Sequence, residues 1–139
     1  MTEIVVYRSE HFKGVETLWL EAFPDDPPWN AAALAIPAKL AIQPELFLLA
    51  LAEGEVVGSV MAGYDGHRGW LYAVAVLKSY RRAGVGAGLV REAEKRLQAL
   101  GCTKINLQVR STNAGVIGFY SRLGYGTEDR VSMGKRLAF

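Results

Sequence analysis

The β-branched run from Glu3 to Arg8 predicts a short strand. Ser9 then stands where a helix cap is expected, ahead of Phe12, Val15, Leu18 and Trp19 at helical spacing. The prolines of Phe23-Pro24-Asp25-Asp26-Pro27-Pro28 end that helix, because proline lacks a backbone donor and clashes with the preceding turn. The Ala-rich segment Asn30 to Gln43 predicts a second helix, interrupted near Pro37. Leu46 to Glu53 and Glu55 to Tyr64 flank Gly54 as a hairpin. A turn over Tyr64-Asp65-Gly66-His67-Arg68-Gly69 leads into Trp70 to Leu77, a strand so apolar that it suits a sheet centre covered on both faces. From Val85 the period becomes helical, with Val85, Leu89, Ala93, Leu97 and Leu100 on one face and Gly101 as the stop. Ile105, Leu107 and Val109 alternate as a strand, Thr112 to Leu123 is a helix closed by Gly124, and Tyr125 to Leu137 holds one or two final strands.

That order predicts an α+β fold: a mixed, mostly antiparallel central sheet of about 6–7 strands with one crossover through the long helix, flanked by about 4 helices. The 139 residues predict a single domain over 1–139, since chains usually divide only beyond about 250 residues. Half of the residues are apolar and 10% are aromatic, enough for a core that needs neither metal nor disulfide. The single cysteine, Cys102, excludes an internal disulfide and a Cys-rich zinc site; no metal is expected, and Cys102 reads as a buried structural thiol.

Sixteen Lys and Arg against 14 Asp and Glu leave a net charge of +2, too balanced for a general nucleic-acid binder. The one local excess, Lys78 with Arg81 and Arg82, suits a single phosphate group. The longest apolar runs, Leu46 to Ala52 and Trp70 to Leu77, fall short of the ~20 residues of a membrane helix. The first eight residues show no basic-then-apolar leader, so a cytoplasmic protein without nucleic-acid or membrane partners is expected.

The segment that carries chemistry is Val74-Ala75-Val76-Leu77-Lys78-Ser79-Tyr80-Arg81-Arg82-Ala83-Gly84-Val85-Gly86-Ala87. A buried strand ends, a basic glycine-containing loop follows, and a long helix starts at once. The first N–H groups of a helix lack internal partners and carry the positive end of its dipole. Gly84 and Gly86 let backbone approach a ligand, and two arginines add formal charge, which together suit a pyrophosphate. A Walker A loop is excluded because no Gly-Lys-Ser/Thr is present, and a dinucleotide fingerprint because position 89 is Leu and Lys104 stands near the required acid.

Here the sequence resembles the GCN5-related N-acetyltransferase (GNAT) superfamily. Arg81-Arg82-Ala83-Gly84-Val85-Gly86 matches its Arg/Gln-x-x-Gly-x-Gly/Ala signature. The segment from Asn113 through Tyr120 to Gly124-Tyr125 is similar to its Asn-x7-Tyr-x4-Gly-Phe/Tyr region, and the order of elements is the family's. The turn Tyr64 to Gly69, Pro28-Trp29-Asn30 and Gly134-Lys135-Arg136-Leu137 resemble a bacterial YpeA-type subgroup of unassigned substrate.

The resemblance implies acetyl-coenzyme A as cosubstrate and an amine, of a small molecule or a peptide or protein, as acceptor. It implies that the backbone of Val74 and Val76 pairs with pantetheine, that N–H groups from Arg82 through Ala83, Gly84, Val85 and Gly86 to Ala87 hold the pyrophosphate beside Arg81, and that Asn113 contacts the cofactor chain. Tyr120 would protonate the departing thiolate, and an N–H of the Val74 strand would stabilise the oxyanion. The residues alone also admit a helix cap at Asn113 and core packing at Tyr120 as the lesser readings. A homodimer through sheets or final strands is compatible with the family pattern.

The acceptor amine must lose a proton to attack, which calls for a base or a water relay. In ribosomal-protein N-terminal acetyltransferases, which this chain distantly resembles, a strand Glu serves; the aligned position here is Gln108, which cannot accept a proton at neutral pH. Glu21, Asp26, Asp65 and His67 are the other, weaker candidates, His67 reading first as a solvated loop residue, Asp65 as turn chemistry and Glu21 as a solvated helix position, and Trp29 could lie over the acceptor pocket or equally in the core. Three functions stay in competition: an N-acetyltransferase, a coenzyme A-binding sensor or degenerate enzyme without turnover, for which Gln108 speaks, and a module binding an anion or RNA phosphate through Arg81 and Arg82.

Overall fold

In a computed structural model describing residues 2–138, the apolar runs pair into one five-stranded sheet. Its strands are β1 (Thr2–Val6), β2 (Phe47–Ala52), β3 (Glu55–Tyr64), β4 (Gly69–Val76) and β5 (Ile105–Asn106), in the order β1-β2-β3-β4-β5. All neighbours are antiparallel except β4 and β5, which are parallel and joined by the crossover helix. The α-helices are α1 (Phe12–Ala22), α2 (Ala32–Leu40), α3 (Val85–Ala99) and α4 (Ala114–Arg122). The mixed α+β architecture and four helices agree with expectation; the strand count is lower. The described residues form two compact units, one ending at Leu107 and the other starting at Gln108.

In the first unit β2 and β3 close through Glu53 and Gly54, both at positive φ (50° and 81°), the pattern of a hairpin turn whose twist matches its strands. β2 is buried throughout its length. Phe47, Leu49, Leu51 and Met61 pack with Val15, Leu18 and Trp19 of α1 and Ile36 of α2 in one core cluster. The neighbours Gly58 and Ser59 of β3 face opposite ways, as strand alternation requires. Ser59 meets Trp19 of α1. A Cβ on Gly58 would lie 2.8 Å from Leu89 Cδ1 and 3.1 Å from Val85 Cγ1, so α3 covers the other face at close range.

Several local expectations are corrected. Ser9 opens a 3-10 turn, Ser9–His11, with no cap bond; the Arg8 N–H donates to His11 Nδ1 instead. α2 runs through Pro37 unbroken, held by burial of Ala32 and Ile36. β4 is not a fully covered strand: Tyr72 is 55% exposed, and only Gly69 and Trp70 pair with β5. β5 ends after two residues, and the described residues after it contain no strand. Tyr125 to Leu137 has five charged residues and Gly126 and Gly134 among its thirteen, and it is exposed almost throughout, so it lacks the apolar face a strand needs to be held.

Candidate active site

The open part of β4 is where backbone becomes available to a ligand. Leu77 N–H donates to Val57 O at 2.9 Å, so in the antiparallel ladder the adjacent Val76 turns its polar groups away from β3. Beyond Trp70 no β5 residue pairs with that edge. The Val76 carbonyl instead accepts from Arg81 Nε at 3.1 Å, which folds the loop arginine back against the strand. Between Ser59 and Met61 the register slips, and Ala73 sits in the bulge at φ 51°, a left-handed conformation that costs a non-glycine residue roughly 1–2 kcal/mol.

The loop after β4 begins with a 3-10 turn, Lys78–Tyr80, whose first N–H donates to Glu21 Oε2 of α1 at 2.8 Å. Arg82 follows at φ 66° and Gly84 at φ 82°, where glycine carries no Cβ penalty. Gly84 is the cap residue of α3, with no side-chain cap bond and no acid in the first turn, and the first intrahelical bond is Gly88 N–H to Gly84 O. The N–H groups of Val85, Gly86 and Ala87 therefore head a fifteen-residue helix dipole without internal partners. Arg81, Arg82, Ala83 and Gly84 are solvent-exposed, and Val85 is buried against β3. The donor set, helix-terminal N–H groups flanked by guanidinium, suits a pyrophosphate, and the open Val76 edge suits an amide-bearing chain.

In the second unit Asn113 caps α4, its Oδ1 accepting from Val116 N–H at 3.2 Å, which leaves its amide hydrogens for other work. Tyr120 is 8% exposed, edge-on to Phe119 and Tyr125 with ring centroids 5.0 and 5.6 Å away. Burial pushes its hydroxyl up to about 12. Gln108 Nε2 donates to Ser132 Oγ.

The candidate bases are disposed differently from one another. Glu21 is tied to the Lys78 N–H and so anchors the loop after β4. Asp65 Oδ1 accepts from Arg68 and His67 N–H, each at 2.7 Å, which holds its carboxyl below the usual range and makes it a turn-forming residue. Asp26 and His67 are exposed in loops. Trp29 is 44% exposed and outside the core, whereas Cys102 is buried with Sγ donating to Lys104 O, as expected of a structural thiol.

Sequence reading missed two contributors. The Glu21 to Lys78 bond joins positions 57 residues apart, with no local pattern to announce it. Ser59 is fully buried; its signal was a lone hydroxyl in the run Val56-Val57-Gly58-Ser59-Val60-Met61.

The sequence model described as "Acetyltransferase (GNAT) family" matches residues 12–125. An acetyltransferase of Pectobacterium atrosepticum is 47% identical over 135 residues, 97% of this chain and 95% of that protein. Among solved structures, PaiA N-acetyltransferase from Thermoplasma acidophilum in complex with coenzyme A is similar with a TM-score of 0.83 at 19% identity, over 94% of this chain and 93% of that one. AAC(6')-Iy in complex with the bisubstrate analog CoA-S-monomethyl-acetylneamine gives 0.81 at 19% identity, over 99% of both chains. No helix among the described residues is long and apolar enough to cross a membrane.

Proposed function

The chain belongs to the acetyltransferase (GNAT) family, and from that premise we propose that it transfers an acetyl group from acetyl-coenzyme A directly to an amine in a ternary complex. The observation that carries this is the uncapped start of α3, entered through left-handed Arg82 and Gly84 beside the open edge of β4. The N–H groups from Arg82 to Ala87 take the pyrophosphate with Arg81 and Arg82, the Val74–Val76 edge takes pantetheine, and the Asn113 amide takes the cofactor chain. Coenzyme A and a bisubstrate ligand in two structural neighbours support the same donor.

In the reaction the neutral amine attacks the acetyl carbonyl; the N–C bond forms, the C–S bond breaks, and the nitrogen's surplus proton passes to water or a nearby base. Tyr120 serves the departing thiolate. A phenol held near 12 is about 3.5 units weaker an acid than a thiol near 8.5, so it acts by hydrogen-bond donation, with transfer completed only where the thiolate is desolvated too. The small acceptor or peptide amine is bound on the chain without metal, and the fold can pair into a homodimer.

The first test is the melting temperature with and without acetyl-coenzyme A, using Gly84→Glu as control. At a hundred times Kd the ligand adds about 2.7 kcal/mol, a rise of very roughly 9 °C. A rise in wild type that the folded mutant lacks supports the donor on this loop; no rise at millimolar ligand refutes it. The engagement of Gln108 with Ser132 and of Glu21 with Lys78 favours a second reading, a coenzyme A-binding sensor. Donor binding with no thiol release across a panel of amines would select it.

A further inference from the structure

Ser59 is the only fully buried polar side chain among the described residues of the first unit's core, and both of its bonds are directional. It accepts from Trp19 Nε1 at 3.0 Å and donates to Ala73 O at 2.8 Å. The indole nitrogen can only donate and the carbonyl can only accept, so the hydroxyl hydrogen has one place to go, onto Ala73 O. Ala73 is the left-handed residue of the β4 bulge. Its carbonyl and the Val74 N–H belong to one planar trans peptide, in which C=O and N–H point in opposite directions. Holding Ala73 O toward Ser59 therefore fixes the Val74 N–H to point away from Ser59.

From this we infer that Ser59 is a positioning residue of the acetyl transfer: through Ala73 it aims the Val74 N–H at the thioester carbonyl. The inference rests on the reading of the β4 edge as the acetyl-coenzyme A site. Backbone in a disfavoured conformation persists only where its surroundings impose it. Here the imposing group is a hydroxyl oriented by an indole, at a depth where water cannot substitute for it. The sequence Trp19 to Ser59 to Ala73 to Val74 thus runs from the α1 core to an amide of the β4 bulge.

The test is isotope-edited infrared spectroscopy of acetyl-coenzyme A labelled with carbon-13 at the thioester carbonyl, bound to wild type, Ser59→Ala, Ser59→Thr and Val15→Ala, together with kcat and the acetyl-coenzyme A Kd of each. In wild type the carbonyl band moves to lower frequency on binding. In Ser59→Ala that shift is lost and kcat falls roughly 10- to 100-fold, below the 10²–10³ loss of a deleted oxyanion donor because the amide is misaimed rather than removed, while Kd stays within about threefold. Ser59→Thr keeps a hydroxyl and recovers the shift. Val15→Ala removes buried volume from the same core but no hydrogen bond; it lowers the melting temperature and leaves the band shifted. Should Ser59→Ala not fold, Ser59→Cys fills the same volume with a poor donor and is expected to lose the shift likewise. An equal band shift in wild type and the folded Ser59 variant lacking the hydroxyl overturns the inference, as does bound wild type with no shift at all. Absence of acetyl-coenzyme A binding to wild type overturns the donor reading itself, and is told apart by the Kd measurement alone.

Discussion

Glu21 Oε2 accepts the backbone N–H of Lys78 at 2.8 Å, so the last turn of α1 holds the first turn after β4. A carboxylate in that role acts on the shape of the donor loop rather than on the amine. Glu21→Gln is expected to keep kcat within about threefold and to weaken acetyl-coenzyme A binding by roughly 3- to 10-fold, consistent with trading a charge-assisted hydrogen bond for a neutral one at an exposed site. Steady-state kinetics with separate Kd measurement decides the matter, because a base role would cut kcat a hundredfold or more and leave Kd alone.

Gly84 is the pivot of the same loop. At φ 82° an alanine pays roughly 1–2 kcal/mol, although beyond its chain neighbours no atom of the described residues lies within 4 Å of an added Cβ. Gly84→Ala is therefore expected to lower the melting temperature by about 3–8 °C, by strain alone. Gly84→Glu adds a carboxylate at the start of α3, where the proposed pyrophosphate site meets the helix dipole, and is expected to weaken acetyl-coenzyme A binding at least tenfold. Calorimetric titration of both variants separates the strain from the charge.

Tyr120→Phe should lower kcat by about 10- to 100-fold with little change in donor Kd. The buried hydroxyl also shapes alkaline stability. Its folded value, pushed up to about 12, lies above the unfolded value near 10, so the contribution is present in full below pH 10 and is lost as pH rises to 12. Over that window wild type should lose about 2–3 kcal/mol more than Tyr120→Phe. Denaturant melts of both proteins at pH 9 and pH 11.5 would show it, and parallel curves would refute the raised value.

Gly58 tests the seat of α3. A Cβ there would meet Leu89 Cδ1 at 2.8 Å and Ala75 O at 3.2 Å, and backbone cannot give way cheaply. Gly58→Ala is expected to destabilise by about 1–3 kcal/mol, and because the displaced residues include Val85, donor affinity should fall with stability. A variant with unchanged melting temperature would mean that α3 shifts freely on the sheet.

Wherever a local rule decided the structure, the sequence was readable. The Glu53-Gly54 turn, the apolar stripe of α3 and the Gly84 helix start each depend on residues within one or two turns of one another. The Ala73 bulge, the Ser59 relay and the Glu21 anchor depend on partners 14 to 57 residues away. The expected strand after Ile105 failed because alternation states which face is apolar and not whether a partner edge exists. Pro37 misled in the opposite direction: its missing donor was outweighed by the burial of Ala32 and Ile36.

The strands lie in the sheet in chain order, and this has a kinetic consequence. β2, β3 and β4 are joined by connections of two and four residues, Glu53–Gly54 and Asp65–Arg68, so their ladders close over short loops and form early. β5 reaches β4 only after the whole of α3 has been wound between them. The exposed β4 edge thus marks the seam between the part of the chain that folds locally and the part that must wait for a long closure. A nascent chain would hold the bulged meander before it held the start of α3, and the β5 pairing would be the last ladder of the first unit to close.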